Sequence, residues 1–176
     1  VRTIILDGVA PAAITLPFHI ERDASRALET VFEACDAEPS CSNHYPNLRM
    51  HFDDLSARFE KPQIISVTDP VTGQKLTLSA DIDWLHAALR SPLYGRMTQR
   101  LMPFIIEQAY AGHYAPLLSV SALDGGINSA MFLSVICSED VARISQANFD
   151  QAQAQPYILK SRQLNIPIIE ACTTWP

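Results

Sequence analysis

The residues with the richest chemistry lie together in residues 131–141, MFLSVICSEDV. An apolar run (Met131, Phe132, Leu133, Val135, Ile136) leads into Cys137 and then into two consecutive carboxylates, Glu139 and Asp140. The run reads as a buried segment that surfaces at the cysteine, which can tether it to a distant part of the chain. Adjacent carboxylates repel, and keeping both ionised is unfavourable unless a cation lies close by. A protonated amine meets that need, so Glu139 and Asp140 are the candidate substrate-binding residues. A structural role competes with this one. An acid just ahead of a helix beginning near Val141 would face that helix's positive end.

Other chemistries have little support. There is no Gly-x-Ser-x-Gly elbow, no glycine-rich phosphate loop and no H-E-x-x-H. The histidines His19, His44, His51, His86 and His113 are scattered, none spaced to meet a carboxylate, and are expected at the surface or at helix ends. Asp7 closes an apolar run, a place where α/β enzymes put acids. A turn aspartate ahead of Gly8 is the simpler reading. No catalytic residue and no cofactor is assigned.

The cysteines are Cys35, Cys41, Cys137 and Cys172. They lack the C-x-x-C spacing or nearby histidines of a metal site, so no metal is expected. Four cysteines allow three pairings. Their order favours Cys35 with Cys41 as a local staple and Cys137 with Cys172 as a long-range one. Free buried thiols are the alternative. Two disulfides would imply an oxidising compartment, the periplasm or the exterior.

Composition sets the limits. The 176 residues are 48% hydrophobic and 18% charged, enough for one domain with its own core. Net charge is −6, against the basic face a nucleic-acid partner requires. No apolar run approaches the roughly 18 to 20 residues of a membrane span. The first residues read as neither a signal peptide nor a targeting segment. With no initiator methionine, the chain is expected to be a piece of a longer protein or a product whose start has been removed.

The elements that must position these residues follow from period and breakers. Residues 1–7 read as a buried strand of parallel-sheet type. It has no partner of its own kind, which again points to missing chain. Pro11 and Pro17 then carry a loop. Residues 23–37 carry Ala24, Ala27, Leu28, Val31 and Cys35 on one helical stripe, with Asp23 as N-cap and Pro39 as stop. A second helix is expected to start near Pro46 on Leu48, Phe52, Leu55 and Phe59 and to end before Pro62. Cys35 and Cys41 would lock the corner between the two. Ile65 and Val67, then Leu76 and Leu78, alternate about a breaker-rich turn at 69–73, a β-hairpin. Residues 81–90 return to helix on Ile82, Leu85 and Leu89. Residues 94–111 are helical on Met97, Leu101 and Ile105, with Phe104 beside them. Pro103 should kink that helix or split it, and Gly112 should close it. Residues 115–123 read as a short apolar helix or turn, and Asp124, Gly125 and Gly126 as a flexible joint. A polar stretch follows at 143–155, then an amphipathic one at 157–170 interrupted by Pro167.

Several blocks together resemble a known family. VRTIILDGVAP, ALETVFEACDAEPSCSNHYPNL, LYGRMTQRLMPFIIEQAYAGHYAPL, MFLSVICSEDV and ACTTWP are similar, in that order, to the tripeptidyl and prolyl aminopeptidase-like branch of the α/β-hydrolases, which are serine exopeptidases. The resemblance implies a mainly α fold with a small β-hairpin: a helical cap or lid domain (11–176) inserted in an α/β-hydrolase, preceded by one residual core strand (1–10). It implies that both cysteine pairs are disulfides of an exported lid. The serine elbow would precede Val1, and the triad acid and base would follow Pro176, so no triad residue falls on this chain. Glu139, and less directly Asp140, matches the family's acidic position after the cap cysteine. Such a lid would grip the free N-terminus of a peptide substrate and exclude water. The partners implied are that substrate and the chain's own catalytic core, with no nucleic acid and no membrane. The isolated chain is expected to lack hydrolase activity and, with the lid's apolar face uncovered, to self-associate. An esterase parent with the same lid, or a free-standing helical binding module, are the competing readings.

Overall fold

The computed structural model describes residues 3–5, 14–69, 71–121, 128–159 and 162–176. The fold is mainly α with one two-stranded antiparallel hairpin.

Helix α1 (Phe18–Ala37) buries Ala24, Leu28, Val31, Phe32 and Cys35, residues three and four apart on one face. It begins five residues ahead of Asp23, which therefore does not cap it. Instead, Asp23 lies inside the helix and accepts a 2.8 Å hydrogen bond from Arg22. The helix ends where expected. Pro39 drives Glu38 into an extended conformation (ψ 110°), and a new short helix, α2 (Pro39–His44), starts on that proline. The sequence led us to expect a plain loop here. The Cys35–Cys41 disulfide closes the corner. Helix α3 (Leu48–Phe59) starts two residues after Pro46 and buries all four expected stripe residues, Leu48, Phe52, Leu55 and Phe59.

Strands β1 (Gln63–Thr68) and β2 (Lys75–Ala80) pair Ile65 with Leu78 and Val67 with Leu76, which puts the four apolar side chains on one face. The turn is held by Asp69, whose Oδ1 accepts the Val71 and Thr72 amides at 2.8 Å each, and by Gly73 at φ +72°. Those two amides hold the Asp69 carboxyl below the usual aspartate range. Helix α4 (Ile82–Arg90) is capped by Asp81, which accepts the Trp84 amide at 3.0 Å.

Pro103 splits the next helical stretch. After a 3-10 turn at Ser91–Tyr94 come α5 (Arg96–Gln99) and α6 (Met102–Tyr110), with Pro103 in the first turn of α6, where its missing N–H removes no bond. The break shifts the helical phase. Ile105 and Ile106 go into the core, whereas Met97 (75% exposed), Leu101 and Phe104 stay outside. The continuous stripe expected over Met97, Leu101 and Ile105 therefore does not form. Gly112, at φ +88°, ends α6 as expected. Helix α7 is Ala115–Ser121; residues 122–127, which include the expected glycine joint, lie outside the described residues.

In the core, α3 lies along α6, with α1 and α4 on its flanks and α7 against α4 and α6. Phe32, Phe52, Phe59, Leu55, Leu85 and Ile106 are essentially inaccessible. Phe59 packs on Trp84 and meets the edge of Tyr114, with ring centroids 6.0 and 5.7 Å away. Each such side chain contributes roughly 1.5 to 3 kcal/mol by burial.

The remaining helices are α8 (Ser129–Glu139), α9 (Gln146–Gln153) and α10 (Arg162–Cys172). α9 opens with a reciprocal capping box between Ser145 and Asn148, which explains how so polar a segment holds a helix. Leu159 is buried in the main core, and its amide donates to Ser25 Oγ at 3.0 Å, tying this end of the chain to α1. The opening strand is not formed at residues 3–5. Ile4 and Ile5 are exposed, and among the described residues the two hairpin strands pair only with each other. Residues 1–2 and 6–13, which include Asp7, lie outside the described residues.

Candidate functional site

Helix α8 carries the two candidate acids at its C-terminal end. Asn128 starts it by accepting the Met131 amide at 3.0 Å. It is less buried than its apolar sequence implies. Met131 (62% exposed) and Val135 (49%) face outward, and Ile136 is the buried residue of the helix. α8 therefore leans on its neighbours instead of forming core. The Cys137–Cys172 disulfide fastens it to α10, and the Trp175 indole donates to Ser134 Oγ at 3.2 Å. Both expected pairings are thus present, and among the described residues no cysteine is free.

Glu139 and Asp140 occupy different environments. Asp140 is 9% exposed and sits between α8 and a 3-10 turn, Val141–Arg143. Its carboxylate accepts a 2.8 Å bond from Arg143 Nη2, and Arg143 also reaches the Ile14 carbonyl at 3.4 Å. Asp140 does stand at the start of a helical turn, yet its side chain makes no capping bond. The cation that the paired acids require is therefore partly internal. Arg143, three residues on, neutralises Asp140, a spacing that could have been read from the sequence. Asp140 thus makes a structural ion pair that fixes the turn, whereas Glu139 makes none among the described residues.

Glu139 remains exposed and outside any ion pair among the described residues. It is the last residue of α8, where the helix's own carbonyl end is negative. A carboxylate there gains nothing from the helix and favours an external cation. The nearby polar cleft of about 400 Å3 is lined by Arg143, Asn148, Gln151 and Tyr157, but not by either acid.

Two histidines depart from expectation. His51 Nδ1 lies 2.6 Å from Glu107 Oε1, and its ring stacks on Tyr110 at 4.0 Å, which links α3 to α6. The 56-residue separation in sequence hides this pair from any spacing rule. His86 is buried at 8% exposure, with its ring parallel to Phe52. Both are structural, core-side histidines and not surface ones. Among the described residues, no three His, Cys, Asp or Glu side chains converge as a metal site, and no helix is long and apolar enough to cross a membrane. Comparison with protein-family models, with characterised proteins and with solved structures finds no match to this chain.

Proposed function

We propose that the chain is the substrate-gating lid of a secreted or periplasmic serine aminopeptidase of the α/β-hydrolase type, working with a catalytic core that supplies the triad. Supporting this reading is the state of Glu139, a solvent-facing carboxylate at the negative end of a helix that a disulfide holds in place. Asp140, its neighbour, is already neutralised by Arg143, so the corner offers one fixed negative charge to a substrate. An exopeptidase needs such a charge to hold the free ammonium at a set distance from the nucleophile. The two disulfides agree with an oxidising compartment.

The exposed apolar side chains Tyr94, Met97, Leu101 and Phe104, along the 3-10 turn, α5 and α6, form the face that meets the core. In the isolated chain a second copy covers that face. The test is Glu139→Gln in the enzyme carrying this lid. Peptides with a free amine should lose affinity, and N-blocked esters should not. Peptide hydrolysis by the isolated chain, abolished by changing one of its own serines, would refute the reading.

A further inference from the structure

A second cleft, of about 280 Å3, opens between the start of α1 and the end of α4, and neither Glu139 nor Asp140 lines it. Its walls are aliphatic: Ile14 and Leu16 ahead of α1, Ile20, Ala24 and Ala27 on α1, and Leu93 in the 3-10 turn after α4. One cation reaches this lining, Arg90, the last residue of α4. Arg90 is half-buried, and among the described residues its guanidinium enters no hydrogen bond and no ion pair. A guanidinium carries five N–H donors in a planar fork. Placed beside an apolar wall without an acceptor, it loses solvation and gains nothing in return. The other polar groups of the lining are engaged elsewhere. Asp23, at the exposed rim, accepts from Arg22 at 2.8 Å, and His19 Nδ1 is taken by the Thr15 backbone at 2.9 Å.

We propose that this cleft binds a singly charged carboxylate carried by an apolar body. Arginine and a carboxylate pair through two parallel N–H···O bonds, and the hydrocarbon body lies against the aliphatic walls. An apolar lining with a polar group that fixes orientation is the usual make-up of a small-ligand site. One cation balances one negative charge. A phosphate dianion would leave charge uncompensated, with the Asp23 carboxylate close by. The inference is independent of the hydrolase reading, because it uses neither Glu139 nor the catalytic core. Tyr94, also in the lining, is the residue it shares with the exposed contact face.

The probe is sodium octanoate below its micelle concentration, titrated into the full chain and followed by calorimetry and by amide chemical shifts. Saturable binding is expected, with shifts at residues 14–27 and 90–94. Octylammonium has the same hydrocarbon and the opposite charge, and should bind roughly tenfold more weakly or worse. Arg90→Gln breaks no hydrogen bond or ion pair of the fold. Its thermal midpoint should hold while octanoate affinity falls roughly tenfold or more. Ala27→Phe fills the cleft, keeps the charge and should weaken octanoate as far. No saturable binding to the unaltered chain would overturn the inference, as would equal binding of octylammonium or an unchanged affinity in Arg90→Gln. Octyl phosphate binding more tightly than octanoate would overturn the choice of a carboxylate. Shifts confined to residues 97–104 would place octanoate on the exposed apolar face and would overturn the site itself.

Discussion

Removing the Cys137–Cys172 bond, as Cys137→Ser with Cys172→Ser, should free one corner of the molecule and leave the core intact. The bond closes a loop of 35 residues. Loop-closure entropy at that length is worth about 4 kcal/mol, against about 2 for the six-residue Cys35–Cys41 loop. The structure says where that loss falls. α8 buries Ile136 alone in depth, whereas α3 and α6 bury four and five residues. Little apolar packing is left to hold α8 on α10 once the bond is gone, so the opening should be local. Hydrogen exchange reads this directly. Amides of α8 and α10 should lose protection, and those of α3 and α6 should keep theirs. Trp175 gives a second readout through its bond to Ser134, and Trp84→Phe makes its emission the only indole signal. Equal loss of protection in α3 and α6 would show that the two parts unfold as one unit and would refute this division. No change anywhere would show that packing, not the bond, holds the corner.

Three other outcomes follow from the same geometry. Phe59→Ala removes a fully buried ring between Trp84 and Tyr114 and should cost about 3 to 5 kcal/mol in denaturant unfolding. The Asp69 carboxyl is held low in the folded state, so its stabilising effect is present above the unfolded aspartate range and is lost as pH falls through the folded value. The gap in unfolding midpoint between the native chain and Asp69→Ala should accordingly be open at pH 7 and narrow below about pH 4. Light scattering of the isolated chain should give a dimer or larger species, which Met97→Glu with Phe104→Glu converts to monomer. A monodisperse monomer before substitution would contradict the exposed face as a contact surface.

Much of the fold was legible because it rests on local rules. The stripe Leu48, Phe52, Leu55 and Phe59 is buried as its spacing requires, and the alternation of Ile65, Val67, Leu76 and Leu78 gave the hairpin, whose register the structure supplies. Pro103 announced the division between α5 and α6. Propensity could not show the consequence, because a two-residue break changes which side of a helix faces inward, and Met97 and Leu101 moved outside. The start of α1 was missed because Asp23 has a cap's chemistry, while the helix in fact runs back to Pro17. The same limit applies to the candidate site. Composition singled out Glu139 and Asp140 together. Only the position of Arg143 separates them, and the His51–Glu107 contact has no sequence signature at all.

The most direct test of the lid reading is the KM of the complete enzyme carrying Glu139→Gln, compared for a free-amine peptide and an N-blocked ester. A charge-assisted hydrogen bond of about 1.5 to 3 kcal/mol predicts a KM for the peptide roughly tenfold to a hundredfold higher, with the ester unaffected. An equal loss on both substrates, or none on either, would contradict the assignment of Glu139 as the ammonium anchor.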